Sequence, residues 1–560
     1  MGAGGFVSEF VYSIWKPLMK QIMAKGIKVV VNAGGMDPAA CKAAVEEVSA
    51  AAGVEVRVAA VYGDSILDRA AAMKKEGLLQ AFAVEDAEEP TLPEDKLCLS
   101  FNAYLGARPI ALALAEGAQV VVTGRCADSA MVLGPLMHEF GWKATHYDLL
   151  AAGSLAGHII ECGCQATGGN FTDWRESCFT PNGGWANVGF PLVECYPNGD
   201  FVTTKPPRTG GLVSFGTVAE QMLYEIHDPS TYILPDVILD LRNVTLKENH
   251  GGTDRVLVTG ARGRAPTGTY KISGTFFGGY MLSAQLLLSG FDAREKAAAV
   301  AEAILRRSRQ LLKQKDLDDF IDTNVEMLGA EHTFGRNASS NSREIVCRIS
   351  VHHNSPAGLK VFGRQVAPSA TGMAPGITGG GGRPRPAPLI HHFSALVGKE
   401  HVPATVVVGS DFKHEGAFTN ESDDVPGPAP ANPAVSPFTR TGATKRVPLI
   451  ALCYGRSGDK GDVANVGVIC RKLMYYPLVA ATLTAPAVHQ FFGHCAKGTT
   501  TRYELPGVAA LNFVLTRSLG GGGLGSLNID KQGKAYAQQL LTMMVEIPAD
   551  WSVRLAKAHI

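Results

Sequence analysis

The residues best suited to chemistry in this 560-residue chain are cations set on glycine-rich turns. Thr123-Gly124-Arg125-Cys126-Ala127-Asp128-Ser129 follows the apolar run Gln119–Thr123. A guanidinium there can grip a phosphate or carboxylate with two parallel donors. Asp128 beside it is a candidate general base or, with Ser129, a cap for the helix that follows. Asn32-Ala33-Gly34-Gly35-Met36-Asp37-Pro38 occupies the same position after Ile27–Val31. Backbone N–H groups at a strand-to-helix turn favour an anion. Asn32, Gly34, Gly35, Thr123, Gly124, Arg125 and Ser129 are therefore candidate ligand contacts. The first turn does not spell G-x-G-x-x-G, and a tight structural turn also explains it.

Other stretches share the pattern. Lys205-Pro206-Pro207-Arg208-Thr209-Gly210-Gly211 pairs two cations with a stiff Pro-Pro and a flexible Gly-Gly. Lys205, Arg208, Thr209 and Gly210 could hold donors toward an anion, or form a solvated turn. Thr371–Pro386 is too rich in glycine and proline for regular structure and carries Arg383. Cys453–Asp462 places Arg456, Ser457, Asp459 and Lys460 among glycines. Arg456 and Ser457 are candidate ligand contacts. Asp459 and Lys460 are candidate acid–base groups or members of a salt-bridged turn. Gly168-Gly169 follows His158-Ile159-Ile160-Glu161-Cys162-Gly163-Cys164 and borders a pocket in this reading. His158 and Glu161 share a helical face, but one Cys-x-Cys without a second pair is not zinc spacing; no metal is assigned. Glu225-Ile226-His227-Asp228 could supply a His–carboxylate pair or a helix cap. Gly-x-Ser-x-Gly, P-loop, His-Glu-x-x-His and EF-hand spacings are absent from the sequence.

The elements that would position these groups alternate. Strands at Ile27–Val31, Val54–Val61 and Gln119–Thr123 are interleaved with helices at 38–52, 104–116 and 129–140. This predicts an α/β fold with a mostly parallel, Rossmann-like sheet. From about 155 to 290 the texture turns β-rich, with strands expected at 237–246, 255–260 and 269–277. A long helix is expected over Asp292–Gln314, a strand over Glu344–Val351 and a helix over Ser355–Val366. Residues 412–446 read as a Pro-rich tether. The expected domains are 1–411 and 447–548, the second a small α+β unit. The chain opens on a helix, Phe6–Ala24, so a first strand–turn element is expected to be missing.

Composition narrows the classes. Hydrophobic residues make up 46% and charged residues 19%, enough for large cores. Lys and Arg total 52 against 52 Asp and Glu, so no net field draws nucleic acid or an anionic membrane. No apolar run nears the ~20 residues that span a bilayer. The 11 cysteines lie in apolar or mixed segments without a disulfide-framework pattern, as in a reducing compartment. The reading is a cytoplasmic protein, with a mitochondrial location and a homo-oligomer left open. Its partner would be a small anionic molecule.

Several long stretches also carry a resemblance. Residues 32–38 (NAGGMDP), 102–110 (NAYLGARPI), 121–136 (VVTGRCADSAMVLGPL) and 138–142 (HEFGW) resemble the acyclic terpene utilisation protein AtuA family. So do 149–173 (LLAAGSLAGHIIECGCQATGGNFTD), 204–237 (TKPPRTGGLVSFGTVAEQMLYEIHDPSTYILPDV) and 456–469 (RSGDKGDVANVGVI). The resemblance implies an AtuA domain followed by a ferredoxin-fold domain. It also implies a role in breaking down citronellol- and geraniol-type terpenes through acyl-CoA esters. Relatives commonly carry Asn where Asp462 stands, and often Arg where Gly525 stands. The family supplies no established reaction. The expectation is a lyase or hydratase on a branched acyl-CoA, with a CoA ester as substrate and no cofactor assigned. Arg125 and Lys205 would hold anionic groups, and Asp128 or Asp459 would act as base. The alternative is a non-catalytic accessory subunit of an acyl-CoA carboxylase or related complex.

Overall fold

The computed structural model describes residues 5–82, 91–339, 341–379, 384–421, 427–429, 438 and 442–553. In chain order its principal elements are β1 (Val29–Val31), α1 (Pro38–Ala51), β2 (Val58–Tyr62), β3 (Cys98–Ala103), β4 (Val120–Thr123), α2 (Ala130–Phe140) and α3 (Tyr147–Ile160). There follow α4 (Phe215–Met222), β5 (Thr269–Ser289), α5 (Ala293–Gln314), β6 (Glu344–His353), α6 (Pro356–Val366), β7 (Ala387–Gly398) and β8 (Ala404–Val408). The C-terminal part contains β9 (Cys453–Lys460), β10 (Val463–Cys470), β11 (Thr500–Leu505) and β12 (Ala510–Leu515).

The expected mostly parallel sheet is not what forms. β1, β4 and β2 pair in parallel, in that order, but β8 joins β2 antiparallel and Phe412–Gly416 joins β8 antiparallel. The ladders of the other sheets are antiparallel among the described residues. The βαβ rhythm ends at α3, after which strands return by hairpins and long connections rather than helical crossovers. Phe412–Gly416 thereby begins as a strand a stretch read as tether.

β5 is the longest strand. Its first half pairs with β3 on one side and β7 on the other, and its second half pairs with β6. The register shifts between Phe277 and Tyr280, where Gly279 has φ +110. The Gly278-Gly279 pair reads as a strand end in sequence; here it is a β-bulge that lets one strand serve two partners.

β9, β10, β12 and β11 form an antiparallel sheet in that order. Buried residues from Val447 to Ile547 give it a core of its own. The stretch Arg456–Lys460, expected as a loop, lies in β9. It hairpins to β10 at Gly461, φ +68. Among the described residues no helix is long and apolar enough to cross a membrane.

Candidate active site

Four elements carry polar groups that act on one another beside a cleft. The first is the turn after β4. A Cβ on Gly124 would stand 2.3 Å from Asp64 Oδ1, so the turn requires glycine. Asp64 Oδ2 accepts hydrogen bonds from Arg125 N (3.0 Å) and Asn102 Nδ2 (2.8 Å) and so pins the turn to β3. The Arg125 guanidinium lies 5.4 Å over the Tyr104 ring. It is exposed and has no hydrogen-bond or ion-pair partner among the described residues. Ser129 is the N-cap of α2 but makes no side-chain cap bond.

The second is the end of α3. Glu161 lies beside Asp128, and both line a cleft of about 590 Å³ with Asn32, Met131, Gly157 and Cys162. Burial, the Glu161 charge and a hydrogen bond to Glu161 push Asp128 up to about 6, against the pull of Lys460 and Arg125. Burial would raise Glu161 too, but its contact with His158 and the charge of Lys460 outweigh that and hold it low. His158 Nε2 lies 3.1 Å from Gln221 O, and its buried Nδ1 faces Glu161 Oε2 at 3.6 Å. If Nε2–H donates to that carbonyl, Nδ1 can share a proton with Glu161.

The third is the β9–β10 hairpin. Lys460 Nζ is 2.5 Å from Glu225 Oε2, and Lys534 is 3.4 Å from Glu225 Oε1 and 3.9 Å from Asp459. Burial, the largest single influence, would lower Lys460, but Glu225, Tyr232 and Glu161 together outweigh it and keep Lys460 charged. Burial, then the charge of Glu225, raises Asp459. Asn465 Oδ1 accepts from Glu225 N (3.0 Å), Asn465 Nδ2 donates to Leu223 O, and Asn512 Nδ2 donates to Ile226 O and His227 O. This buried amide pair holds segment 223–227 against the C-terminal sheet. Burial, then Lys271 and Lys460, lowers His227 to about 4. Tyr232 stands edge-on to His158, ring centroids 5.8 Å apart.

The fourth is a sheet face. Tyr270, Ile272, Phe101, Ala103, Ala395 and Val397 are buried in the core. The intervening positions form a polar face: Ser100 and Asn102 on β3, Lys271, Ser273 and Thr275 on β5, His392 and Ser394 on β7. Ser273 Oγ is 3.0 Å from His392 Nε2 and Ser100 Oγ 2.7 Å from Thr275 Oγ1. Burial, then Lys271 and Arg125, lowers His392 to about 4. Both cations therefore act on this wall.

Of the residues singled out in sequence, Asn32 and Asp128 line this cleft, Arg125 and Lys460 act on Asp128 from beside it, and Asp459 stands on the Lys460 hairpin facing Lys534. Thr123 and Ser129 are buried behind it. Gly34 allows Pro38 and Thr123 O to approach, where a Cβ would lie 2.5 Å from that oxygen. The N–H groups of Gly35, Met36 and Asp37 are taken by carbonyls of Asn32, Gly5 and Gly34. Arg456 is buried against Glu220 (3.1 Å), Gly169 O (3.1 Å) and Gln165. Ser457 Oγ donates to Gly533 O. Gly168 makes room for Ser177. Lys205 pairs with Asp254 (3.1 Å) and Thr209 O, Thr209 Oγ1 donates to Pro206 O, and Arg208 O accepts from Asn187. A Cβ on Gly210 would stand 2.0 Å from Gly184 O. Loop 205–211 is thus occupied with its own neighbours. Ile377–Gly379 pairs with Leu286–Leu288, at the far end of β5 from Lys271; Arg383 lies outside the described residues.

Sequence reasoning passed over Lys271, His392, Tyr232 and Lys534, and weighed Glu161 only as a metal ligand. One signal was present. Tyr270-Lys271-Ile272-Ser273-Gly274-Thr275 alternates apolar and polar, which marks a strand with one wet face. That the wet face borders a cleft was not legible.

Fold and site define a mixed α/β protein with a ferredoxin-like C-terminal domain, whose lysine hairpin faces a carboxylate pair on the larger part. The family model described as acyclic terpene utilisation family protein AtuA matches residues 2–408, and that of the AtuA ferredoxin-like domain matches 447–546. The chain belongs to the AtuA family of acyclic terpene utilisation. No curated protein and no solved structure matches it.

Proposed function

We propose that this cleft is the active site of a lyase or hydratase acting on a branched acyl-CoA in acyclic-terpene catabolism. The observation that carries the reading is the Asp128–Glu161 pair, raised at Asp128 and flanked by the unpartnered Arg125. A carboxyl that titrates near neutrality can both take and return a proton. Arg125 engages an anionic part of the substrate. Asp128 removes or delivers the proton next to the acyl carbonyl. Glu161, backed by His158, exchanges protons with Asp128. Lys460, held charged by Glu225, offsets negative charge that develops in the cleft. The enzyme reading is favoured over an accessory subunit because these titratable groups converge on space open to a small molecule.

The test is hydrogen exchange. Branched enoyl-CoA, 3-hydroxyacyl-CoA and 3-oxoacyl-CoA esters are incubated with the full chain in deuterated buffer and examined by mass spectrometry. Enzyme-dependent deuterium next to the carbonyl, lost in Asp128→Asn, is expected. Absence of any CoA-ester binding by calorimetry would overturn the proposal.

A further inference from the structure

Lys271, unlike the paired lysines of the hairpin side, has no carboxylate to neutralise; it shares that property with Arg125 but carries an amine. Lys460 and Lys534 share Glu225. Lys271 Nζ has no hydrogen-bond or ion-pair partner among the described residues and stands 6.0 Å from the centroid of the Phe82 ring. Lys399 is the instructive contrast. It too is lowered to about 8, by burial first, but it is 2% exposed and donates to Pro235 O and Asn420 Oδ1, both at 2.8 Å. Its amine is spent. Lys271 is exposed on the polar sheet face, and its amine is open.

The backbone ties it to the acid–base site. Lys271 O accepts from Tyr104 N (3.0 Å), Leu105 N bonds to Arg125 O, and Leu105 bridges Cys126. Lys271 thus sits two short steps from the turn that carries Arg125 and Asp128. The titratable groups electrostatically coupled to it come from three neighbouring elements: His227 after α4, His392 on β7 and Lys460 on β9. Those acting on Lys271 itself are few. The side chain reaches solvent, but the protein surrounding it on that concave wall withholds hydration; that first, then Lys460, lower its ammonium to about 8.

We infer that Lys271 is a nucleophilic amine that captures a ketone or aldehyde carbonyl of the substrate as an imine. The inference rests on the cleft being the catalytic site and narrows its substrates to oxo compounds that also carry an anionic group for Arg125. The neutral amine adds to the carbonyl carbon, giving a carbinolamine. Loss of water, with the proton for the leaving hydroxyl supplied by a cleft carboxylic acid, leaves a C=N bond between substrate and Nζ. The protonated imine withdraws electrons from the adjacent carbon, so a neighbouring C–H or C–C bond breaks more easily, with Asp128 accepting the proton. The electron pair of the broken bond forms an enamine, which takes a proton back at carbon from the cleft carboxylic acid; water then hydrolyses the restored imine, returning amine and carbonyl product. No oxidant or reductant is consumed.

The experiment is reductive trapping. The full chain is exposed briefly at pH 7 to acetone with cyanoborohydride, and the isopropyl marks are mapped by peptide mass spectrometry. Lys271 is expected to be marked on the order of 100-fold faster than surface lysines, from its larger neutral fraction. Lys271→Arg is expected to lose the mark without a change in melting temperature. Marking of Lys271 no faster than the surface set would overturn the inference. So would wild-type turnover by Lys271→Arg, because a guanidinium keeps the charge but cannot form the imine. Trapping needs no turnover. Loss of trapping with deuterium exchange intact sinks the imine alone, and trapping without exchange sinks the proposed reaction alone.

Discussion

Arg125 and Arg456 look alike in sequence and play opposite parts in the structure. Each follows an apolar strand segment and stands beside a glycine. Arg125 is exposed, rests on Tyr104 and has no anionic partner among the described residues. Arg456 is 4% exposed and spends its donors on Glu220, Gln165 and Gly169 O. Glu220 is fully buried and also accepts from Thr172 N. One arginine waits for an anion; the other has received one from within the chain. A cation on a glycine turn identifies a ligand site only when no carboxylate of the same protein reaches it.

The comparison breaks most sharply at Arg456. Arg456→Ala should cost about 3–5 kcal/mol, because Glu220 is left as an uncompensated buried charge; urea unfolding measures it. A loss below ~1 kcal/mol would refute the clamp.

Asp128→Asn comes next. It should slow deuterium exchange by at least ~100-fold, the low end for a general acid–base group. It should also stabilise the protein at neutral pH. Unfolded, the carboxyl ionises near the usual value, about 3.9; folded, near 6. Between those values the native state keeps a proton the unfolded chain has lost. The group therefore favours folding at low pH, and that contribution is lost as pH rises through about 6. The variant should melt a few degrees above wild type at pH 7.5 and level with it at pH 4. Equal melting at both would remove the burial argument.

Arg125→Ala should weaken CoA-ester binding by ~10–100-fold, the value of a charge-assisted contact, with stability within about 0.5 kcal/mol of wild type. Paired calorimetry and thermal melting read both. The smallest effect belongs to Lys205→Met, about 1 kcal/mol from the partly buried pair with Asp254, with binding unchanged. A binding loss there would bring loop 205–211 into the site.

Parts of the molecule were legible because they are local. α6 begins at Pro356 with Ser355 accepting from Ala357 N, as a capped helix should. α5 runs Ala293–Gln314 and β6 begins at Glu344, both as periodicity indicates. The direction of pairing was not legible. β4 and β2 look no different from strands that pair antiparallel, and β8, which caps β2, arrives over 340 residues later. The hairpin carrying Lys460 read as a loop because glycines weaken strand propensity. Its partner β10 is apolar apart from Asn465 and fully buried, and that packing overrides propensity.

The sequence by itself determined the family, the turns that need glycine and the presence of an arginine, an aspartate and a lysine suited to acid–base work on an anion. Only the tertiary structure decided which cations are free. Electrostatic pairing depends on through-space distance and exclusion of water, neither of which sequence separation encodes. Glu220 reaches Arg456 across 236 residues and Glu225 reaches Lys460 across 235. No such carboxylate reaches Arg125 or Lys271 among the described residues, and that difference turns two ordinary positions into the open end of the cleft.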